Sequence, residues 1–203
     1  MNDRVRTAVL ISGRGSNLAS LMAAAAAPGY PCEIVLVLSN QPTAGGLALA
    51  AEAGIPAQAI DHRPFAGDRE AHERAMNTAL REAGVELIAL AGYMRVFTPW
   101  FVSAWAGRMI NIHPSLLPHF PGLDTHARAI AAGHAVAGCT VHWVTAEVDA
   151  GAVIAQAEVP ILPTDSAETL ATRVLAAEHE LYPKALSKAA TLLPCAAGEG
   201  DPA

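Results

Sequence analysis

The sequence has few cysteines and few aromatic residues, and it has no long unbroken apolar run. Its three cysteines, Cys32, Cys139 and Cys195, are odd in number and have no CxxC spacing, so we expect reduced thiols rather than a disulfide framework. Although 52% of the 203 residues are hydrophobic, about 44 are alanine, and no stretch reaches the ~20 apolar residues that span a bilayer. The N-terminus has no apolar signal segment. We therefore expect a cytoplasmic protein with no membrane partner.

Clusters of basic residues are also missing. The formal net charge is −6, with 13 Lys and Arg against 19 Asp and Glu. A protein whose main ligand is a nucleic acid needs a basic stripe that neutralises many phosphates, so we expect no nucleic-acid partner. A single loop can still hold a small anion. The eight histidines offer no HxH, HExxH or Cys/His spacing, so we expect no metal.

Short apolar runs alternate with longer helical patterns as far as His113. This alternation is typical of βαβ units. It predicts an α/β fold with a Rossmann-like, mostly parallel sheet and helices on both faces. Strands are predicted over Val5–Ser12, Glu33–Ser39, Ala57–Ile60, Glu86–Ala91 and Arg108–His113. Helices are predicted over Ser16–Ala27, Gly45–Ala53, Asp68–Ala83 and Thr98–Trp105.

A proline-rich loop follows His113, and the pattern then changes. The next predicted elements are a short helix and two strands that form an antiparallel pair, over Thr125–Ala132, Cys139–Thr145 and Ala152–Ile161. The last predicted helix runs from Ser166 to Lys188, with a kink or break at Pro183. We expect one domain over residues 1–193 and a disordered tail over residues 194–203.

The segment Ser12–Asn17 joins the first strand to the first helix and contains two glycines. The backbone N–H groups of Gly15, Ser16 and Asn17 would face outward at the helix start, where they can hold a phosphate. However, Leu18 occupies the place of the third glycine of a dinucleotide fingerprint, and no P-loop lysine is present. The loop alone fits an ordinary tight turn, with Ser16 as the N-cap, equally well.

Asn111 and His113 lie at the end of the fifth predicted strand. Residues two apart share a strand face, so both side chains project together at an edge where open α/β sheets bind ligands. An amide and an imidazole can stabilise an oxyanion and move a proton. They can also be a capping residue and a satisfied histidine. Asp149 would favour a charged imidazole if it lay near His113, and is otherwise a turn residue.

Five longer segments carry a more specific signal: VLISGRGSNL (Val9–Leu18), AGYMRVF (Ala91–Phe97), NIHPSLLPHFPGLDTH (Asn111–His126), GCTVHWVTAEVDAG (Gly138–Gly151) and RVLAAEHELYP (Arg173–Pro183). In order and spacing they resemble the phosphoribosylglycinamide formyltransferases, a family of folate-dependent formyltransferases, and the resemblance extends to about Leu193. It implies the formyltransferase fold. It also implies transfer of a formyl group from the co-substrate 10-formyltetrahydrofolate to the amine of glycinamide ribonucleotide, in de novo purine biosynthesis.

The resemblance implies a role for individual residues as well. Asn111 and protonated His113 would stabilise the tetrahedral intermediate of a direct attack, and Asp149 would keep His113 charged, without a metal or a covalent enzyme intermediate. The implied ribonucleotide contacts are Gly15, Ser16, Asn17 and Glu178. The implied folate contacts are Arg69, Met94, Arg95, Val96, Phe97, Asn111, Thr145, Ala146, Glu147, Val148 and Asp149.

Two positions depart from the pattern of some relatives. Leu175 stands where they have a polar or basic residue near the ribonucleotide, and Asp124 stands where they have a histidine. Formyltetrahydrofolate hydrolases and methionyl-tRNA formyltransferases share the core, but we expect neither the preceding domain of the former nor the C-terminal RNA-binding domain of the latter. A non-catalytic nucleotide-binding module would explain the glycine loop but not Asn-x-His together with Asp149. Besides the two small-molecule substrates, a homodimer is the one further partner considered.

Overall fold

Residues 4–193 are described by a computed structural model, in which seven strands form one sheet. In chain order the strands are β1 (Val5–Ile11), β2 (Cys32–Ser39), β3 (Ala57–Ala59), β4 (Leu87–Leu90), β5 (Met109–His113), β6 (Val136–Trp143) and β7 (Val153–Pro160). The helices are α1 (Ser16–Ala25), α2 (Gly45–Glu52), α3 (Arg69–Glu82), α4 (Pro99–Ala104), α5 (Thr125–Ala131) and α6 (Ala167–Thr191), with a short 3-10 helix at Arg63–Phe65.

The strand order is β3-β2-β1-β4-β5-β6-β7. The strands from β3 to β5 pair in parallel, whereas β5 with β6 and β6 with β7 pair antiparallel. The chain thus builds outward from β1 first in one direction and then in the other. A ligand crevice forms in such sheets at the carboxyl ends of the strands where the order reverses. Here that place lies between the ends of β1 and β4.

Two apolar cores cover the two faces of the sheet. Alternate residues of β1 enter opposite cores: Val9 and Ile11 pack with residues of α1 and α6, and Ala8 and Leu10 pack with residues of α3 and α4. A strand that is buried on both faces is apolar nearly throughout, which is why the runs were readable from the sequence. The structure confirms the predicted fold class, including the antiparallel strands near the C-terminal end.

Most predicted elements differ from the observed ones by only a few residues at their ends, but the expected break at Pro183 is wrong. Helix α6 continues through Pro183 as far as Thr191. The proline removes one N–H donor, while a continuous buried face that includes Tyr182 and Leu186 holds the helix against the sheet. The hydroxyl of Tyr30 also donates to the Pro183 carbonyl at 2.7 Å. Packing therefore outweighs the local preference.

Two of the three cysteines and none of the predicted C-terminal tail lie within the described residues. Cys32 and Cys139 are buried free thiols. Cys195 and the predicted disordered tail lie outside the described residues. Between residues 4 and 193, none of the helices has both the length and the apolar character needed to cross a bilayer.

Candidate active site

A cavity of about 710 Å³ opens at the carboxyl ends of β4 and β5. It brings together most of the predicted site residues: Asn17, Met94, Arg95, Val96, Phe97, Asn111, His113, Thr145, Ala146, Glu147, Val148, Asp149 and Glu178. Asp124, one of the two departures from the family pattern, also lines this cavity. The segments that meet here follow the four strands β1, β4, β5 and β6, and Glu178 comes from α6, so the sheet topology, rather than proximity in sequence, assembles the site.

Asn111 and His113 reach the cavity from the end of β5. His113 is only 5% exposed, and both of its ring nitrogens face acceptors. Its Nε2 lies 3.1 Å from the Phe120 carbonyl oxygen, and its Nδ1 lies 3.4 Å from Oδ2 of Asp149. A protonated imidazole can donate from both nitrogens, so the two contacts leave each N–H of such a ring with an acceptor.

Asp149 lies in the turn between β6 and β7, with a left-handed φ of 55°. Its side chain is 8% exposed, and its Oδ2 accepts the Gly122 N–H at 2.8 Å. Burial by itself would raise the pKa of Asp149, but the neighbouring His142 ring, the Gly122 N–H and the charge of His113 hold that pKa below its ordinary value. Asp149 is therefore a carboxylate at neutral pH.

His142 is a site residue that could not be singled out from the sequence, where it is one of eight histidines without a metal-binding spacing. His142 is 2% exposed and faces Asn111 directly across the antiparallel pair of β5 and β6. Its Nε2 lies 3.4 Å from Nδ2 of Asn111 and 3.6 Å from Oδ1 of Asp149. The alternation in the segment Val141–Trp143 places His142 on a definite face, but only the register between strands reveals what it meets.

Asn17 and Glu178 also line the cavity and contact each other. Nδ2 of Asn17 donates to Oε2 of Glu178 at 2.6 Å, and Oδ1 of Asn17 is buried without a hydrogen-bond partner. Burial raises the pKa of Glu178, and the hydrogen bond from Asn17 only partly opposes that shift. An unpartnered amide oxygen beside a carboxylate matches a ligand that brings hydroxyl or amine donors.

The start of helix α1 is built differently from the alternative that makes Ser16 the N-cap. Gly15, with a φ of 83°, occupies the N-cap position, and no side chain caps the helix. A Cβ on Gly15 would lie 2.8 Å from the Cα of Gly46, at the start of α2, so only glycine fits there. The first turn of α1 contains no acidic residue. Its N–H groups are therefore available to an anion.

Three predicted contact residues, Gly15, Ser16 and Arg69, are not in the lining of the large cavity. Arg69 is the exposed first residue of α3. Asp68 caps the N-terminus of this helix, because its side chain accepts a hydrogen bond from the backbone N–H of Ala71. Leu175, the second departure from the family pattern, is half-buried on α6. Among residues 4–193, no group of three or more His, Cys, Asp or Glu side chains could hold a metal ion.

Comparison with known proteins agrees with this geometry. The model of the formyl transferase family matches residues 5–186. The phosphoribosylglycinamide formyltransferase of Haemophilus influenzae is 44% identical over 178 residues, which cover 88% of this chain and 84% of that protein. The trifunctional purine biosynthetic protein adenosine-3 of Drosophila pseudoobscura pseudoobscura is 52% identical over 186 residues, but this chain spans only 14% of its length.

A solved structure is similar along the whole fold. The crystal structure of phosphoribosylglycinamide formyltransferase from Brucella melitensis superimposes with a TM-score of 0.88 at 52% identity, covering 98% of this chain and 100% of that one. The resemblance read from the five sequence segments is thereby confirmed. Because the family model and these full-length matches extend over nearly all of the described residues, the chain belongs to the formyl transferase family, within the group of phosphoribosylglycinamide formyltransferases.

Proposed function

We propose that this protein transfers the formyl group of 10-formyltetrahydrofolate to the amine of glycinamide ribonucleotide, a reaction of purine biosynthesis. The observation that carries the proposal is the convergence of Asn111, His113 and Asp149 in one cavity, with acceptors for a polar ligand on one wall and an apolar rim on another. A simple nucleotide-binding module has no use for a charged histidine backed by a buried carboxylate.

The proposed reaction is a direct attack. The amine nitrogen bonds to the formyl carbon, whose oxygen becomes an oxyanion, and the intermediate collapses by breaking the bond between that carbon and N10 of the folate. Asn111 donates a hydrogen bond to the oxyanion, and charged His113 stabilises it electrostatically. The proton lost by the amine reaches N10 through His113 or a water molecule. Asp149 offsets the positive charge of the buried imidazolium throughout.

The folate fits the exposed apolar rim. Met94 is 68% exposed and Val96 and Val148 are also exposed, although all three are large hydrophobic residues that line the cavity. Such a concentration of uncovered apolar surface is typical of a ligand site. Arg95 also lines the cavity, and its positive charge suits the carboxylates of a folate. Arg69 contributes only if that end extends beyond the cavity mouth.

The ribonucleotide fits the part of the cavity lined by Asn17 and Glu178. Its phosphate would be held at the start of α1 by the backbone of Gly15, Ser16 and Asn17, where the N–H groups and the helix dipole favour an anion. The carboxylate of Glu178 and Oδ1 of Asn17 would accept hydrogen bonds from its hydroxyl or amine groups. Because Asn111 lines the same cavity, the amine of a ribonucleotide bound there would share the cavity with the catalytic residues.

Alanine substitutions test the assignment. His113→Ala or Asn111→Ala should lower kcat by about 10²- to 10³-fold with little effect on folding, because each removes a group that acts on the oxyanion. His134→Ala, at an exposed histidine outside the cavity lining, is the matched control. Folate deformylation is measured with and without glycinamide ribonucleotide. Near-normal turnover by either variant would disprove its catalytic role, and equal deformylation without the ribonucleotide would identify a hydrolase instead.

Three coarser proposals accompany this function. A single domain over residues 1–193 carries the activity, and the protein acts in the cytoplasm. Two buried free thiols support a reducing compartment: burial raises the pKa of Cys32 to about 11 and that of Cys139 to about 12, which keeps both in the unreactive thiol form. The homodimer stays a prediction, which a mass measurement in solution tests.

A further inference from the structure

The tautomer of His142 follows from its hydrogen bonds. Its Nδ1 lies 2.9 Å from the carbonyl oxygen of Trp143, which can only accept, so Nδ1 carries the proton. In the neutral ring Nε2 then holds a lone pair. Nδ2 of Asn111, which can only donate, lies 3.4 Å from that lone pair. The Asn111 amide therefore donates to Nε2 of His142, and Nδ1 of His142 donates to the Trp143 carbonyl of β6.

We infer that neutral His142 is a positioning residue that fixes the orientation of the Asn111 amide, an inference that rests on the proposed function. An asparagine side chain can present either its oxygen or its NH₂ group at nearly the same place. Because Nε2 of His142 accepts one hydrogen of Nδ2, the amide is held with its second hydrogen free for the oxyanion. A flipped amide would point Oδ1 at the lone pair of Nε2, which is repulsive.

The architecture makes this orientation rigid. Asn111 and His142 are directly opposed on neighbouring antiparallel strands, the closest relation that two residues of a sheet can have. His142 is almost fully buried, and its hydrogen bond to the next carbonyl of its own strand fixes the ring plane. The donor is thus in place before the substrate arrives, and no reorganisation is needed as charge develops.

The competing interpretation is that His142 serves Asp149. The distance from Nε2 to Oδ1 of Asp149 is 3.6 Å, and a hydrogen bond there requires a proton on Nε2. That proton would place a donor against Nδ2 of Asn111 and break the contact that orients the amide. The two roles therefore need different protonation states of His142, and a measurement can separate them.

Nitrogen NMR of the folded protein gives the first test. With ¹⁵N-labelled histidine, His142 should show a protonated Nδ1 and a bare Nε2 at the pH of the assay. A proton on Nε2 would overturn the inference. This readout needs no variant and does not depend on activity.

Double-mutant cycles give the second test. His142→Leu, which removes the acceptor, should lower kcat roughly tenfold while both KM values change by less than about threefold, since one hydrogen bond that orients a catalytic group is lost. His142→Gln should recover most of kcat, because its amide oxygen can accept from Asn111. His134→Leu is the control for replacing a histidine by leucine.

The effect of His142→Leu on kcat, measured in variants that lack either Asn111 or the Asp149 charge, identifies which of these two residues His142 acts on. In Asn111→Ala, adding His142→Leu should change kcat by less than about twofold, whereas in Asp149→Asn the tenfold loss should persist. The reverse pattern would assign His142 to Asp149 and overturn the inference. If Asn111→Ala alone left kcat unchanged, the catalytic assignment of Asn111 would fail, and the NMR result would still report the tautomer.

Discussion

Replacing Asp149 by asparagine isolates the effect of its charge. Asparagine has the same shape, tolerates the left-handed φ of 55°, and keeps an oxygen that can accept the Gly122 N–H. What disappears is a negative charge 3.4 Å from Nδ1 of His113. The variant therefore tests electrostatics with the backbone and the packing held nearly constant.

The geometry sets the size of the effect. Two unit charges 3.4 Å apart interact by about 5 kcal/mol at an effective dielectric constant of ~20. Both charges are delocalised over their groups, which lengthens the effective separation, so we take about 3 kcal/mol as the loss felt by His113. If the charged imidazole acts mainly in the transition state, kcat should fall roughly 10²-fold. Both substrates should still bind.

Steady-state kinetics of Asp149→Asn and of Asp61→Asn check this expectation. Asp61 is also a paired carboxylate, with Oδ2 2.7 Å from Nη2 of Arg63, and hydrogen bonds from Arg63 lower its pKa to about 2. It lies outside the cavity lining, so its replacement should leave kcat unchanged. A loss below about threefold in Asp149→Asn would refute the electrostatic role, because a charge that acts on the transition state at this distance must change kcat by more than that.

The same substitution has a defined pH signature in folding. The pKa of Asp149 lies below its ordinary value, so the stability that its ionised form contributes is fully present above the unfolded pKa and is lost as the pH falls through the folded one. Denaturant unfolding should therefore show a larger difference between wild type and Asp149→Asn at about pH 5 than in stronger acid. An equal difference at both pH values would contradict the folded-state stabilisation of the Asp149 carboxylate.

Two further predictions follow from groups described above. Burial raises the pKa of Glu178, so Glu178→Gln should raise the free energy of unfolding near neutral pH, and this gain should disappear as the pH falls toward the ordinary pKa of glutamate. The same variant should bind the ribonucleotide more weakly in calorimetry. An unchanged affinity would remove Glu178 from the site. Gly15→Ala should destabilise the protein by roughly 1–3 kcal/mol in denaturant unfolding, because of its φ of 83° and its contact with the start of α2. Gly13→Ala, where a Cβ would meet nothing within 4 Å, should be close to neutral, and equal losses in both variants would contradict the argument.

Much of the fold could be predicted because burial on both faces makes each inner strand apolar along its length. The end of β5 was equally readable, since a period of two puts Asn111 and His113 on one face whatever the strand beside it. The register of β6 against β5 could not be read, because many side chains across the two strands fit a pleated sheet. For that reason His142 was overlooked, although its own strand was predicted.

Backbone geometry is the second feature of the site that could not be predicted from the sequence. Nothing in the segment Ser12–Asn17 says whether Gly15 or Ser16 caps α1, because that depends on how closely α2 approaches, a contact between distant parts of the chain. The turn at Asp149 could be predicted, but not that Gly122 would hold its carboxylate against His113. At Pro183, the tertiary packing of α6 keeps the helix continuous where the local preference of proline favours a break.

The exposed apolar rim has a consequence for how the protein behaves when its substrates are scarce. Met94 on this rim is 68% exposed, and Leu123, which also lines the cavity, is 70% exposed. Exposed apolar surface of this kind is typical of sites that bind a ligand or a partner. A bound folate would cover this surface, so the ligand-free protein is the more adhesive form. Colloidal solubility, storage life and tolerance of high concentration should therefore improve with folate occupancy, even where the fold itself is no more stable.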